Sequence, residues 1–189
     1  MQILITGAAG FIGFNLSKYL LENSKFKIFG LDNFNTYYSK SLKKDRIKEL
    51  KKFRNFRFEK IDITNKKKLD IFFKKKKVSL IINLAAQAGV RYSLIKPTEY
   101  VDNNVLGFYN IISAANKFKV KRIIYASSSS VYGDSLIFPL SEKQKIKPKN
   151  IYALSKKINE EMADVFSEQF KIYFVGLRFF TVYGEWGRP

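Results

Sequence analysis

The sequence predicts a doubly wound α/β fold, in which helices cover both faces of a parallel sheet. Short apolar runs alternate with longer stretches of helical periodicity along the 189 residues, which is the pattern of strand–helix–strand units. Most of the apolar runs are nearly continuous and rich in Ile, Phe or Val, as in parallel strands buried on both faces. No internal repeat, low-complexity linker or domain boundary interrupts them, so we expect one domain over residues 1–189.

Six strands and five helices are predicted in chain order. The strands are residues 2–6, 27–31, 56–60, 80–84, 122–127 and 173–178, and the helices are residues 11–23, 42–51, 65–76, 99–118 and 151–170. In the third helix, lysines flank Leu69 and Phe72, as on an amphipathic helix with one solvated face. Asn150, close behind Pro148, is placed to cap the last helix.

Composition limits the chemistry that is available. The chain has no cysteine and no histidine, which excludes disulfides, thiolate chemistry, the usual metal ligand and every Ser-His-Asp arrangement. Acid–base work must therefore fall to Tyr, Lys, Asp or Glu, and no metal site is expected. No apolar run is long enough to span a bilayer, and the first residues lack the charged start and cleavage site of a signal peptide. We expect a cytoplasmic protein without a membrane partner.

The formal net charge of +19 allows two interpretations. It could indicate binding to nucleic acid or an anionic membrane, or it could reflect a solvated, lysine-rich surface. Most of the 35 basic residues are lysines scattered over several segments, whereas phosphate and base readers use more arginine. We therefore expect no nucleic-acid partner.

Three glycines follow the first predicted strand and open the first predicted helix. Gly7 permits a tight turn, Gly10 lets the backbone approach a pyrophosphate, and Gly13 lets the helix lie close to the sheet. The N-terminus of that helix offers free N–H groups and the positive end of its dipole to phosphates. The strand–turn–helix context favours a dinucleotide-binding loop over a merely structural glycine turn.

Asp32 follows the second predicted strand. A carboxylate there can accept hydrogen bonds from both hydroxyls of an adenosine ribose and would repel a 2′-phosphate. The residues after it, Asn33, Phe34 and Asn35, include no arginine that would bind such a phosphate. We therefore expect NAD rather than NADP, with a turn formed by Asp32 and Asn33 as the structural alternative.

Two further segments end strands at the same predicted edge. Asp62 and Ile63 follow the third strand, where they could meet the adenine; alternatively, residues 62–65 (Asp-Ile-Thr-Asn) could equally form only a helix cap. Residues 83–87, Asn-Leu-Ala-Ala-Gln, follow the fourth strand, and their small side chains would let a cofactor lie across the sheet edge. Packing alone is the alternative for this second segment.

Candidate acid–base groups lie late in the chain. The serines at 127–130 follow the fifth strand, where ligands bind in such sheets. Tyr152 and Lys156 are four residues apart and share one face of a helix. A phenol titrates near pH ~10 in water, and a nearby ammonium lowers that pKa, so the pair could take a proton from an alcohol. The same pattern occurs on solvated helices, but the glycine loop and Asp32 favour a site.

Together these motifs resemble the extended short-chain dehydrogenase/reductases, the family of sugar-nucleotide epimerases and dehydratases. Its hallmark positions are residues 6–13 (Thr-Gly-Ala-Ala-Gly-Phe-Ile-Gly), Ser128 and Tyr152-x-x-x-Lys156. The resemblance implies a Rossmann-like NAD-binding domain over residues 1–189, with Ser128, Tyr152 and Lys156 as the catalytic triad. The expected NAD contacts are Gly7, Gly10, Phe11, Ile12, Gly13, Asp32, Asn33, Asp62, Ile63, Leu84, Ala85, Ala86, Gln87, Asn103, Tyr152, Lys156 and Phe180.

A closer resemblance is to the UDP-glucuronate 4-epimerases of the capsular-polysaccharide type. It is carried by residues 32–38 (Asp-Asn-Phe-Asn-Thr-Tyr-Tyr), 84–93 (Leu-Ala-Ala-Gln-Ala-Gly-Val-Arg-Tyr-Ser), 177–184 (Leu-Arg-Phe-Phe-Thr-Val-Tyr-Gly) and 186–189 (Trp-Gly-Arg-Pro). Two positions depart from the usual pattern: Asn83 stands where a histidine is common, and Glu185 where a proline is common. Neither departure touches the triad.

The resemblance implies a 4-epimerisation through a 4-keto sugar, with a UDP-sugar as substrate. Related dehydratases carry Asp-Glu just after the equivalent of Ser128, but here Ser129 and Ser130 follow it, so dehydration lacks its acid and base. Ser129, Ser130 and Thr181 could instead hold a carboxylate, and Arg91 is also expected to contact the substrate. The alternatives are another UDP-sugar 4-epimerase, such as the UDP-glucose type, or a non-catalytic NAD-binding module.

Members of this family continue into a smaller C-terminal substrate domain. The resemblance therefore implies that the chain lacks most of the nucleotide-sugar cradle, and that alone it binds NAD but turns over little or no substrate. It further implies a homodimer of the full-length protein, paired through the helices at 99–118 and 151–170.

Overall fold

In the computed structural model of the protein, which describes residues 1–187, six parallel strands form one sheet. The strands are β1 (Gln2–Thr6), β2 (Lys27–Asp32), β3 (Phe56–Lys60), β4 (Leu80–Asn83), β5 (Arg122–Ser128) and β6 (Tyr173–Phe179). Their order across the sheet is β3-β2-β1-β4-β5-β6. Strand order reverses between β1 and β4, and in open α/β sheets ligands bind at the carboxyl ends of the strands at such a point.

Helices connect the strands and cover both faces of the sheet. They are α1 (Phe11–Asn23), α2 (Lys40–Leu50), α3 (Lys66–Lys75), α4 (Val90–Ile95), α5 (Pro97–Tyr100), α6 (Gly107–Lys117) and α7 (Ile151–Phe170). A π-helical segment, Val101–Leu106, joins α5 to α6, and a 3₁₀ turn, Ser129–Tyr132, follows β5. In residues 1–187, no helix combines the length and the apolar character needed to cross a membrane.

Alternate residues of the central strands face two separate cores. Leu4 of β1 belongs to a core with Phe72 of α3 and Ile111 of α6, whereas its neighbours Ile3 and Ile5 belong to a core formed with α1 and α2. Each large apolar side chain buried in this way stabilises the fold by roughly 1.5–3 kcal/mol. The predicted doubly wound arrangement is therefore confirmed, with apolar residues required on both faces of each inner strand.

Most element boundaries agree with those expected from the sequence. β1, β3, α1 and α7 have the predicted limits, and the others differ at their ends by one or two residues. Asn150 caps α7 as predicted, because its side chain accepts the N–H of Ala153 at 2.9 Å. Asn65, predicted as the first residue of a helix, is instead the cap of α3 and accepts the N–H of Lys68 at 3.0 Å.

The largest departure is in the predicted helix at 99–118, which is three consecutive elements: α5, the π-helical segment and α6. The wider turn contains Asn103 and Asn104, one of which lines the cleft described below while the other is buried against α7. Gly107 begins α6, and a Cβ there would come 2.6 Å from Cδ1 of Ile63, so a larger residue would require the Ile63 side chain to shift. The short helix α4 was not predicted, since six residues are too few to show a clear helical period.

Candidate active site

A cleft of about 700 Å³ opens along the carboxyl edge of the sheet. Gly7 after β1, Asp32 at the end of β2, Leu84 after β4 and Ser128 at the end of β5 all line it. The cleft therefore lies at the point where the strand order reverses, as expected for a nucleotide-binding α/β sheet.

The glycine loop leaves no room for side chains. Gly7 has φ +69°, and a Cβ there would come 2.8 Å from the backbone nitrogen of Ala85. A Cβ on Gly13 would come 2.2 Å from the carbonyl oxygen of Gly7, so Gly13 makes room for the loop itself rather than for the sheet. Gly10 precedes α1 and provides no side-chain cap, which leaves this helix end suited to an anion.

Asp32 is buried at the end of β2 and anchors two turns. Its carboxylate accepts the N–H of Ala9 at 3.2 Å and the N–H of Phe34 at 2.8 Å. Burial raises the pKa of Asp32, while these hydrogen bonds and the cations of Lys43 and Arg46 oppose that rise. Asp32 thus forms the turn that was the structural alternative, and its carboxylate also lines the cleft. The two interpretations of this residue are compatible.

Sequence reasoning missed Lys43 and Arg46, because it considered only the residues directly after Asp32. Both come from α2, and Lys43 lines the cleft with its ammonium bound to the carbonyl oxygen of Asn35 at 3.1 Å. Arg46 is fully buried and donates to the carbonyl oxygen of Ala9 at 3.0 Å and to the carbonyl oxygen of Trp186. No sequence signal separated these two from the other basic residues of this lysine-rich chain.

Ile63 lines the cleft, whereas Asp62 lies behind the lining and accepts hydrogen bonds from Asn33 and Thr64. The side-chain amide of Asn33, which lines the cleft, donates to Asp62 at 2.8 Å, and the N–H of Thr64 donates to the same carboxylate at 2.8 Å. Burial acts to raise the pKa of Asp62, but these hydrogen bonds hold it below its usual value. The structure thus gives Asp62 a turn-forming contact, while Asn65 provides the helix cap.

The loop after β4 forms the opposite wall. Leu84, Ala85 and Ala86 line the cleft, but Gln87 is buried, with its N–H bound to Oδ1 of Asn104 at 2.7 Å. Gln87 was expected to contact the cofactor, and that contact stays a prediction; in the structure its backbone N–H connects this loop to Asn104.

Asn83 is buried at the end of β4. Its Oδ1 accepts the hydroxyl of Thr6 at 2.7 Å, and the Thr6 hydroxyl oxygen in turn accepts the N–H of Ala85 at 3.1 Å. At this position, where the family usually has a histidine, the asparagine side chain is therefore held by a hydrogen bond from Thr6.

The three candidate catalytic residues come from β5 and α7. Ser128 and Tyr152 both line the cleft, and the hydroxyl oxygen of Ser128 accepts the N–H of Ser130 at 3.2 Å. Lys156 is fully buried, and its ammonium donates to the carbonyl oxygen of Ala126 at 2.8 Å. Burial lowers the pKa of Lys156 to about 8.

A buried polar network holds the first turns of α7 and was not predicted. The side-chain amide of Asn104 donates to the hydroxyl of Ser155 at 2.9 Å, and that hydroxyl donates to the carbonyl oxygen of Tyr152 at 2.7 Å. Asn159, with its amide oriented to satisfy both of its polar atoms, donates to the carbonyl oxygen of Asn104 at 2.8 Å. Buried polar groups of this kind fix orientation, since each would be costly if left unpaired.

An ion pair connects α7 to β6 beside the serine turn. Arg178 and Glu160 approach to 2.8 Å with both side chains largely buried, and the hydroxyl of Ser127 donates to Glu160. The guanidinium of Arg178 also donates to the hydroxyl of Tyr132 at 3.1 Å. This pair raises the pKa of Arg178, chiefly through its hydrogen bonds to Glu160.

The remaining predicted substrate and cofactor residues are divided. Ser129, Ser130, Thr181, Asn103 and Phe180 all line the cleft. Arg91 is exposed on α4 and does not belong to the described lining of the cleft, so its substrate contact stays a prediction. Arg188 and Pro189, which extend the resemblance at the end of the chain, lie outside the described residues. In residues 1–187 there is also no acidic cluster suited to a metal ion.

Comparison with known proteins places this site in a family. The model of the NAD dependent epimerase/dehydratase family matches residues 3–189, and the chain belongs to that family. It is 47% identical to the protein CapI of Staphylococcus aureus, in a match that covers the whole chain and 56% of the length of CapI. It is 43% identical to UDP-glucuronate 4-epimerase 4 of Arabidopsis thaliana, in a match that covers the whole chain and 43% of the length of that enzyme. A crystal structure of UDP-glucuronic acid 4-epimerase from Bacillus cereus, in complex with UDP-glucuronic acid and NAD, is similar with 36% identity and a TM-score of 0.93. That match covers all of this chain and 59% of the crystallised one, so the chain spans between 43% and 59% of the length of these three proteins.

Proposed function

We propose that the chain binds NAD and carries the acid–base residues of a UDP-sugar 4-epimerase, with UDP-glucuronate as the substrate and UDP-galacturonate as the product. The observation that carries this proposal is that Ser128 and Tyr152, with the buried Lys156 one turn along α7, line the same cleft as the glycine loop. The similarity to an epimerase solved with UDP-glucuronic acid and NAD supports the substrate class.

The residues of the cleft fit a dinucleotide. Gly7 and Gly10 line the cleft, and the end of α1 has no side-chain cap, so its free N–H groups suit a diphosphate. Asp32 would accept the hydroxyls of the adenosine ribose, and Asn33 and Ile63 would flank the adenine. NAD bound in this way supplies a hydride acceptor and donor, and the protein supplies position and proton transfer.

Tyr152 would act as the base that takes the proton of the sugar 4-hydroxyl. Its phenolate is favoured by the positive charge of Lys156, which is one helical turn away and is retained mainly below about pH 8. Ser128 would orient the hydroxyl, since its side chain is held at the end of β5 by Ser130. When the 4-keto sugar has turned over in the site and its carbon 4 takes a hydride on the opposite face, the same Tyr152 would return the proton to the 4-oxygen.

The serine turn supports a substrate that carries a carboxylate. Ser129, Ser130 and Thr181 place hydroxyl groups along the cleft near Ser128 and no acidic side chain among them. Hydroxyl donors can hold a carboxylate by charge-assisted hydrogen bonds, whereas dehydration would need an acid at this point. Holding the carboxylate firmly would also discourage its loss from the 4-keto intermediate.

Two measurements on the purified 189-residue chain test the proposal. Calorimetric titration with NAD and NADP is expected to show binding with preference for NAD. Incubation with NAD and UDP-glucuronate, followed by chromatography of the nucleotide sugars, is expected to give UDP-galacturonate at a low rate, because most of the substrate cradle is proposed to lie in a C-terminal domain. Formation of UDP-xylose without UDP-galacturonate would show that the substrate is handled differently, and absence of NAD binding would end the proposal.

A further inference from the structure

Tyr100 lies beside the catalytic end of the cleft without a part in the proposed chemistry. It is the last residue of α5, directly before the π-helical segment, and its side chain is fully buried. Its hydroxyl group lies 2.6 Å from the carbonyl oxygen of Gly89 and 3.0 Å from that of Ala88, and donates to this pair. Both acceptor residues line the cleft, so a buried phenol braces the loop that follows β4.

The ring of Tyr100 also contacts the ring of Tyr152. The two ring centroids are 6.1 Å apart and the ring planes meet at 76°, the edge-to-face geometry that aromatic pairs favour. Because Tyr152 lies in the first turn of α7, this contact connects the loop after β4 to the helix that carries the proposed base. An edge-to-face contact restricts the angle at which the Tyr152 ring enters the cleft.

Tyr37 also lies close to the same loop. Gly89 has φ +100°, and a Cβ there would come 2.3 Å from the hydroxyl oxygen of Tyr37. The ring of Tyr37 lies 5.0 Å from that of Tyr92, which lies 6.5 Å from that of Tyr100. Four tyrosine rings thus form a continuous series of contacts that ends at Tyr152.

Burial suits Tyr100 to a positioning role. Desolvation raises its pKa to about 12, so Tyr100 remains a neutral hydrogen-bond donor under conditions in which Tyr152 must ionise. The two neighbouring tyrosines are therefore in different environments: one is buried with its hydroxyl on backbone carbonyls, and the other lines the cleft.

We propose that Tyr100 is a positioning residue, which fixes the orientation of the Tyr152 ring and the distance between that ring and the backbone of Ala88 and Gly89. The importance of Tyr100 for catalysis rests on the proposed function, whereas the contact that orients Tyr152 is independent of it. The two can therefore be tested separately.

The test places 3-fluorotyrosine at position 152 of the 189-residue chain and records its ¹⁹F NMR spectrum. The parent chain is expected to give one narrow signal, because the ring is held in one environment. Tyr100→Leu is expected to shift and broaden the signal, and Tyr100→Phe, which keeps the ring but frees the carbonyls of Ala88 and Gly89, is expected to shift it less. The matched control is Tyr109→Leu, which removes a similar edge-to-face contact with Phe166 of the same helix, at 6.2 Å and 73°, and is expected to leave the signal unchanged.

An unchanged signal in folded Tyr100→Leu, or an equal shift in Tyr109→Leu, overturns the proposal. If Tyr100→Leu does not fold, Tyr100→Phe decides, and an unchanged signal there overturns it as well. In the epimerisation assay, Tyr100→Phe is expected to lower kcat about tenfold with KM within about twofold, since a misplaced base affects the chemical step. A parent chain that binds no NAD would refute the proposed function and leave the fluorine result to stand by itself.

Discussion

The ammonium of Lys156 donates a 2.8 Å hydrogen bond to the carbonyl oxygen of Ala126, just before Ser128 on the same strand. Since Tyr152 lies one turn earlier on α7, this bond sets the position of the helix against the end of β5. The three candidate catalytic residues are thereby held together by a contact between a side chain and a backbone carbonyl. The same contact keeps a positive charge in a fully buried position, with consequences for catalysis and for stability.

Lys156→Met is expected to reduce epimerisation at least about 100-fold, because the Tyr152 phenolate loses the charge that stabilises it. Steady-state conversion of UDP-glucuronate measures the effect, with unfolding by urea as a check on the fold. The neighbouring Lys157→Met serves as the control and is expected to retain parental activity. Equal losses in both variants would show that the effect comes from helix stability and not from the site.

The buried Lys156 also predicts how stability depends on pH. Burial lowers its pKa from 10.5 to about 8, so between these values the unfolded chain binds more protons than the folded chain. Stability therefore rises with pH through this range, by about 3 kcal/mol for this group. Urea unfolding of the parent and of Lys156→Met is compared at about pH 8 and pH 10. The free energy of unfolding is expected to increase more for the parent than for the variant over this range. Parallel changes in the two proteins would refute the assignment.

Asp32→Asn is expected to weaken NAD binding about 10- to 100-fold, because hydrogen bonds to a charged group contribute roughly 1.5–3 kcal/mol. The discrimination against NADP is also expected to fall, since the cations of Lys43 and Arg46 then lack the opposing carboxylate. Calorimetric titration with both dinucleotides measures the change. Asp45→Asn, an exposed carboxylate on α2, is the matched control and should bind both as the parent does.

Gly7→Ala is expected to destabilise the chain by at least about 2 kcal/mol. The left-handed backbone at this position costs roughly 1–2 kcal/mol for a residue with a Cβ, and that Cβ would meet the backbone of Ala85 at 2.8 Å. Thermal unfolding measures the loss, and NAD binding is expected to fall with it. Glu22→Ala, on the exposed side of α1, is expected to change the Tm little; a Gly7→Ala variant of equal Tm would contradict the loop geometry.

Arg178→Met is expected to cost about 3 kcal/mol of folding free energy, because it leaves Glu160 as an unpaired, largely buried carboxylate. The control is Asp70→Asn, which breaks the more exposed pair between Asp70 and Lys117 and should cost less than about 1 kcal/mol. Urea unfolding of the three proteins gives the comparison. Similar losses of folding free energy in the two variants would show that the pair between Arg178 and Glu160 contributes no more than an exposed ion pair.

Some of the site was predictable because its signals are local. The glycine loop, Asp32 and the pair Tyr152 and Lys156 each lie within one strand–turn–helix unit or on one helix face, where spacing in sequence corresponds to spacing in space. The burial of Gln87 and the exposure of Arg91 were not predictable, since the direction of each side chain depends on partners elsewhere in the chain. For Gln87 that partner is Asn104, on a different segment.

The sequence by itself determined the parallel sheet, its strand positions and the edge at which ligands bind, because apolar runs and turn residues act through local periodicity. Only the tertiary structure decided which distant side chains contact the residues at that edge. It brought Lys43 and Arg46 to Asp32, Tyr100 to Tyr152, and Asn104 to Ser155. These contacts join residues that are distant in the chain and depend on the angles at which helices cross the sheet, which no local pattern encodes.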